Sequence, residues 1–514
     1  MTTVSARYET GLLHVERLLA DPAARPSGAA LVGALAVDLD GAVVVLGADG
    51  AVLARAGSAA GAHVARRFVT LDGSATGTAS GAANGTATGS AERGLGEGQQ
   101  DWSDWSVRVW PLAAGGGRSL VAARRRPWTS PIEATAGRAA TIIATALLAD
   151  ENDIERERLA GGRRAVWRSV LQLLMTGQVA EAQRVAGALE PAILDTDRVR
   201  MHVLAGRPRD RNSLLGACET RLAGLAVCVS CPARSGHVII IEPVHGAQPV
   251  RGIEPGSEGL APVPAALAEL TTGSATRRLG SSRCHPIAAT AAGYVQAVGA
   301  LAVAAVRPDR MADAEESTGL TDLLPAEAGG WASAVLAPLI AGDEDGTLRH
   351  TLAVALAFTR AEAAAILGVH RNTVHARLAT AAHLLRVDLG RLPERAAIDL
   401  ALRAQSGVGE ASLPEVLSAP QLKIWAADLL DRLDGSVAPR GPARMRDLLR
   451  AFICADGGIT VAAYAVGLSP NSASRWLVAA EAVGGLRLRH GYGGAHEVAV
   501  ALAVDEGLPL LPGR

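Results

Sequence analysis

Ala361-Glu-Ala-Ala-Ala-Ile-Leu-Gly-Val-His-Arg-Asn-Thr-Val-His-Ala-Arg-Leu378 has the residue grammar of a helix-turn-helix. Ala363 and Ala364 are small enough for one helix to cross closely beneath the next. Gly368 supplies the turn, where a positive φ is expected. Ile366, Val369, Val374 and Leu378 fall where they seal the two helices together. That spacing leaves Arg371, Asn372, His375 and Ala376 on the outer face of the second helix, the face a DNA major groove receives. Arginine pairs bidentately with guanine and asparagine with adenine, while Thr373 is placed to hold a phosphate. His370 and Arg377 flank these residues and complete the candidate reading set. An Ala-Ala-x-x-Leu-Gly stretch also occurs in ordinary helix hairpins; the polar Arg-Asn-Thr run directly after it favours DNA.

The pattern has an echo 99 residues on, in Thr460-Val-Ala-Ala-Tyr-Ala-Val-Gly-Leu-Ser-Pro-Asn-Ser-Ala-Ser-Arg-Trp-Leu477. Ala363, Ala364, Gly368, Asn372 and Leu378 fall on Ala462, Ala463, Gly467, Asn471 and Leu477. Ser469 before Pro470 is an N-cap with proline at the first helical position. Asn471, Ser472, Ser474 and Arg475 form the corresponding reading face. Leu486 to Arg489, the turn Gly491-Tyr-Gly-Gly494 and Glu497 to Val500 then read as a hairpin. This is the order of a winged helix, with Arg487, Arg489 and His490 placed to meet DNA backbone. A winged domain used for packing or dimerisation is the alternative.

Charge supports a basic C-terminal end. Residues 349–403 carry eight arginines and four acids, and residues 440–490 seven arginines and three acids, so each stretch is +4. The whole chain of 514 residues has Lys+Arg 50 and Asp+Glu 51, a net charge of −1, so the remainder carries about −9. Lys423 is the one lysine, a bias that high-GC coding explains as well as phosphate binding does. At about 150 residues per domain the length suits three or four domains. Hydrophobic residues at 49% exclude wholesale disorder, and aromatics at 3% require an aliphatic, alanine-rich core.

Upstream, an amphipathic stretch Leu12 to Leu19 and an apolar one, Ala30 to Leu39, precede Ala42-Val-Val-Val-Leu46 and Ala51-Val-Leu-Ala-Arg55. These flank Gly47-Ala-Asp-Gly50, an aspartate-glycine hairpin turn. Ser106 to Ala113 and Ser119 to Arg124 are two further strands. The intervening Gly73 to Gln100, glycine-rich and polar, is expected as a flexible inserted loop. Trp102, Trp105 and Trp110 bunch beside it, either lining an aromatic pocket or packing a small sheet. Pro131 to Leu189 is helical almost throughout. Its charged middle, Asp150 to Arg158, reads as a solvated face, and the segment is a candidate dimer seam. Val199 to Val203, Ala223 to Ser230 and His237 to Ile241 read as strands, and from Leu320 the chain is helical.

The C-terminal motifs resemble the PucR/CdaR family of bacterial transcription regulators. The resemblance lies in His370-Arg-Asn-Thr-Val-x-x-Arg-Leu378, Leu384-Leu-x-Val-Asp-Leu389 and Arg395-x-Ala-Ile-x-Leu-Ala-Leu-Arg403. Trp331 to Leu339 and Thr351-Leu352 are similar to the leading helices of that family's DNA-binding domain. Val166 to Leu204 and His285 to Arg310 resemble the degenerate GGDEF-like module such regulators carry, and Leu31 to Gly57 the start of a GAF-type sensory domain. No Gly-Gly-Asp/Glu-Glu-Phe signature occurs, so a nucleotide cyclase would lack its carboxylates. The winged domain lies outside the common family layout.

Other chemistry is thinly represented. Cys228-Val-Ser-Cys231 is a lone CxxC, and a zinc or redox centre would need Cys284-His285 to converge on it. Cys228 in an apolar strand is expected as a small core residue. His237 and His245 have no partners at metal-ligand spacing. There is no Walker loop, no GxGxxG after a strand, no GxSxG elbow and no HExxH, so no catalytic residue, metal ligand or cofactor is expected. Five cysteines are too few for a disulfide scaffold. With no secretory leader and no apolar run of about 18 residues, neither export nor a membrane span is expected, and a cytoplasmic location is the default.

The expected fold is an α+β multidomain chain, with N-terminal α/β sensory-type domains followed by all-α helix-turn-helix and winged-helix domains. The segments are 1–126 (GAF-like, with insertion 73–100), 127–180 (helical connector), 181–315 (degenerate GGDEF-like), 316–405 (PucR-type helix-turn-helix) and 418–510 (winged helix). The function expected is a non-enzymatic transcriptional regulator, a homodimer that binds double-stranded promoter DNA and responds to an unidentified small-molecule effector. The rivals are a chromosome- or plasmid-maintenance factor without a ligand, and an enzyme that uses helix-turn-helix modules for packing.

Overall fold

The computed structural model describes residues 13–19, 26–71, 105–112, 117–125, 127–244, 262–314, 320–404, 411–436, 444–489 and 493–511. The insertion Gly73 to Gln100, Trp102, His245 and His490 lie outside them. The chain divides into two compact units, Met1–Gly161 and Gly162–Arg514.

The first unit comprises α1 (Leu13–Leu19), α2 (Gly28–Asp38), β1 (Gly41–Leu46), β2 (Val52–Gly57), α3 (Ala59–Leu71), β3 (Ser106–Pro111), β4 (Ser119–Arg124) and the start of α4 (Ser130–Met175). Its antiparallel sheet has the order β2-β1-β4-β3. The Asp-Gly turn forms as its residues require: Gly50 has φ 76°, and its amide donates to the Gly47 carbonyl. β1 is buried on both faces, Val43 and Val45 against α2 and α4, Val44 and Leu46 against α3. Trp110 meets Trp128 edge to face at 5.4 Å, and Trp105 lies against Gly61 of α3, so both pack the sheet. The acidic middle of α4 is mostly solvated. Asp150 and Glu151 are exceptions, taking the Gly28 amide at 2.7 Å and Arg118 at 2.9 Å.

The second unit opens with the end of α4 and α5 (Val179–Leu189). It continues through β5 (Arg198–Ala205), α6 (Arg211–Arg221), β6 (Val227–Ser230), β7 (His237–Val244), α7 (Pro262–Thr272), β8 (Arg278–Pro286), α8 (Thr290–Ala304) and β9 (Met311–Asp313). The sheet order is β6-β7-β5-β8-β9, antiparallel except for the β8–β9 pair. Strand alternation divides the two cores. Met201, Val203, Ile239 and Ile241 pack with α8 and with Leu171 and Leu174 of α4. Leu204, Cys228, Val238 and Ile240 pack with α6 and α7 on the opposite face.

β8 lies so close to α8 that only glycine fits at 280. A Cβ there would stand 2.3 Å from both the Ala297 carbonyl oxygen and the Leu301 amide nitrogen. Gly280→Ala is expected to cost about 2–3 kcal/mol, because backbone on both elements must shift. A denaturant melt showing a loss below 0.5 kcal/mol would contradict this packing.

Ser130–Met175 and Ile287–Ala304 have the length and hydropathy of membrane spans, although neither is an unbroken apolar run. The second is a core helix, with Tyr294, Ala297 and Leu301 buried against the sheet.

The rest of the unit is helical: α9 (Ala328–Ala341), α10 (Thr347–Ala357), α11 (Arg360–Leu367), α12 (Arg371–Leu385), α13 (Leu392–Arg403), α14 (Leu413–Leu417), α15 (Pro420–Asp434), α16 (Met445–Cys454), α17 (Ile459–Ala465), α18 (Pro470–Gly484) and α19 (Gly493–Glu506). One buried cluster runs from Leu320 to Leu511 and joins α9, α12 and α13 to α14 through α19. Residues 316–405 and 418–510 therefore share a core.

The expected wing is not formed. Glu497 to Val500 lies inside α19, and among the described residues Leu486 to Arg489 pairs with no strand. The run Ala495 to Ala503 is buried nearly all round, between α13 and α15. A helix buried on every side has no one-sided stripe, so its apolar run reads like a buried strand. Ala223 to Ser230 is likewise shorter than expected, since β6 starts at Val227 after a turn.

Candidate nucleic-acid interface

The α11–α12 corner is built by local chemistry. Thr359 caps α11: its hydroxyl accepts the Glu362 amide, and the Glu362 carboxylate accepts the Thr359 amide at 3.0 Å. Burial alone would raise the Glu362 carboxyl, but the Thr359 amide and Arg234 outweigh it and hold it below its ordinary value. Gly368 ends the helix with φ 69°, as the turn requires. His370 then caps α12, its Nδ1 accepting the Asn372 amide at 3.3 Å. Ile366 and Val374 are fully buried between the helices, with Val369 and Leu378 half-buried beside them.

This corner sets out one continuous open face. Arg371, Asn372, His375, Ala376, Ala379, Thr380 and His383 are all exposed along α12, at the spacing of a single helical stripe. His370 is exposed at its head and Thr373 is half-buried at its margin. Arg377 departs from the expectation. It is half-buried and donates from Nη1 to Thr351 Oγ1 on α10 at 3.2 Å, so it braces two helices. Sequence reading passed over Thr380, His383 and Arg360, the exposed first residue of α11. Continuing the i+4 spacing from Asn372 and His375 would have found the first two.

The echo on α17 and α18 is built alike and decorated differently. Ser469 caps α18 by accepting the Ser472 amide at 3.2 Å, Pro470 follows it, and Gly467 has φ 72°. Asn471 and Arg475 are exposed, while Ser472 and Ser474 are half-buried and Ser472 is engaged with its cap. Arg475 is the one cation on these two helices. On α17, Val461 and Tyr464 are 64% and 70% exposed, so the surface of that helix is largely apolar.

The two wing arginines are placed otherwise than expected. Arg489 is tied to Glu481 through Nε at 3.0 Å and Nη2 at 2.8 Å, while the same carboxylate accepts the Leu488 and Arg489 amides. Arg487 is half-buried and faces Glu362 and Arg234. Arg489 thus turns to a carboxylate of the fold, and Arg487 sits half-buried rather than outward.

The CxxC cysteines part company. Cys228 faces the α6–α7 core, where burial pushes its thiol well above the ordinary range, and Cys231 faces Tyr294 on the opposite side at 3.3 Å. Cys284 lies beside Arg198. Among the described residues no group of three His, Cys, Asp or Glu side chains is arranged to hold a metal ion.

No curated protein and no solved structure matches the chain. The exposed stripe, the capped corner and the four-helix frame that holds them coincide with one finding: residues 348–404, spanning α10 to α13, match the PucR C-terminal helix-turn-helix domain.

Proposed function

We propose that this protein is a sequence-specific DNA-binding transcriptional regulator whose reading element is α12. The observation that carries the reading is the unbroken exposed stripe of Arg371, Asn372, His375, Thr380 and His383, lying within a segment that matches a DNA-binding domain. In the groove, Arg371 and Asn372 supply base discrimination, and Arg360 with Thr373 supplies phosphate contacts at the margin. Affinity then falls with salt in proportion to the phosphates neutralised. The first unit and the α/β part of the second are the sensing or dimerising elements, in a homodimer located in the cytoplasm. The effector is a small molecule.

For residues 418–510 the apolar surface of α17 and the single arginine on α18 favour a buttress over a second reader. Asn471 and Arg475 are then solvent-facing side chains.

Arg371→Ala and Asn372→Ala are each expected to weaken binding to a selected duplex by about 1–3 kcal/mol while melting like the parent. The duplex is obtained by genome-wide mapping of bound sites, and affinity is measured by fluorescence anisotropy. Parent-like affinity in both variants would remove α12 as the reader. Failure of the parent to enrich any promoter sequence would favour a maintenance factor or a packing module.

A further inference from the structure

Away from the α12 face, Arg234, His237 and Arg487 lie near one carboxylate, with Arg278 beside His237. Arg234 and His237 lie at the β6–β7 turn, Arg278 opens β8, and Arg487 follows α18. Strand register places two of them: Ala205 of β5 pairs with His237 on one side and Arg278 on the other, so both stand at the same end of the sheet. The carboxylate is Glu362 of α11. Its Oε1 accepts Arg234 Nη2 at 2.6 Å, and its Oε2 already serves the Thr359 cap.

The charges do not balance. Glu481, the other acid facing Arg487, is held by Arg489, so Glu362 alone offsets Arg234 and Arg487, with Arg278 near His237 adding further positive charge. Among the described residues Arg487 forms no ion pair or hydrogen bond of its own, although it is half-buried. Arg234 Nε and His237 Nδ1 are buried and also lack hydrogen-bond partners. Burial, and then Arg234, pushes the Arg487 guanidinium down to about 10; burial, and then the three arginines, pushes the His237 ring down to about 4. Buried donors without partners at Arg234 and His237, with the like charge of Arg487 beside them, are costly unless an anion completes them. The fork of an arginine matches a carboxylate or phosphate.

We propose that Arg234, His237, Arg278 and Arg487 form a binding site for a small oxyanion, the phosphate or carboxylate group of an effector. The Arg234 side chain is only 22% exposed, which suits a small anion better than the backbone of a duplex. An anion seated there shares Arg234 with Glu362, the residue that closes the cap of α11. Occupancy is thereby linked to the helix that precedes the reader. That link rests on the DNA-binding reading; the anion site itself does not.

The test is calorimetric titration of the full chain with inorganic phosphate and, separately, with citrate, at constant ionic strength set by chloride. Saturable binding of either one is expected, and the one that binds names the group. Arg487→Gln should weaken it at least tenfold, with Arg487→Lys falling between. Because Arg487→Gln removes an unmatched charge and breaks no pair, its melting temperature in anion-free buffer should equal or exceed the parent's. Absence of saturable binding to both anions, or equal affinity in parent and Arg487→Gln, overturns the site. A variant that lost duplex affinity and about 0.9 of the salt slope, with no small-anion binding in the parent, would make Arg487 a DNA-backbone contact and also overturn it.

Discussion

Removing residues 406–514 is expected to abolish the cooperative unfolding of the helix-turn-helix. The truncation does not cut between two cores. Leu392, Ala396, Ala397, Leu400 and Ala401 of α13 are fully buried in a cluster completed by α14 through α19. The start of α13 also depends on the terminal segment, since Asp456 accepts the Leu392 amide at 2.8 Å and pairs with Arg391. Uncovering even four or five large apolar side chains, at about 1.5–3 kcal/mol each, rivals a whole domain's stability of about 5–15 kcal/mol. Thermal melts by circular dichroism, with hydrogen exchange on α12, would measure the effect. A truncated chain that melted cooperatively within a few degrees of the parent would mean that residues 418–510 are a separable domain.

The second large effect concerns the ionic seam inside that shared core. Asp399 and Arg403 of α13 pair at 2.9 Å, Arg403 reaches Glu497 of α19 at 3.2 Å, and His496 Nδ1 lies 3.3 Å from Asp399. Burial opposes ionisation of Asp399, but Arg403 and His496 hold its carboxyl well below the ordinary range. Asp399→Ala leaves Arg403 beside Glu497 alone in a largely buried site, and is expected to cost about 3–5 kcal/mol. In a unit of this size that corresponds to roughly 5 °C in melting temperature.

The seam also sets a direction for pH. Burial lowers the His496 pKa, so unfolding takes up a proton there below about pH 6.5, and stability declines as pH falls through that range. Asp399 is ionised in the fold at pH values where the unfolded carboxyl is protonated. Its contribution is complete above about pH 4 and is lost as pH falls further. Both act in the same sense: the parent should lose stability steadily from neutral to acid pH. Asp399→Ala should flatten the lower part of that curve. A variant with the parent's slope below pH 4 would show that other carboxylates carry the acid transition.

The helix-turn-helix was legible because its signals are local. Thr359, Glu362, Gly368 and His370 determine where each helix begins and ends within one short stretch, and Ile366 and Val374 seal it from inside. The β1–β2 hairpin was legible for the same reason, since Asp-Gly at its turn selects the backbone directly. The exposed face of α12 follows from helical periodicity through Arg371, Asn372 and His375. The same i, i+4 spacing, continued, reaches Thr380 and His383.

What the tertiary structure decided lies at a distance along the chain. Arg377 looks like a reading residue until Thr351 on α10 takes its guanidinium. Arg489 looks like a wing residue until Glu481 claims it, Arg487 until the fold half-buries it near Arg234 and Glu362, and Glu497 to Val500 looks like a strand until α13 and α15 surround it. A turn or a cap is selected by neighbours a few bonds away, so its residues specify it alone. The partner of a long cationic side chain, and whether an apolar run is buried on one side or all round, depend on which distant segments fold against it. No local pattern encodes that choice.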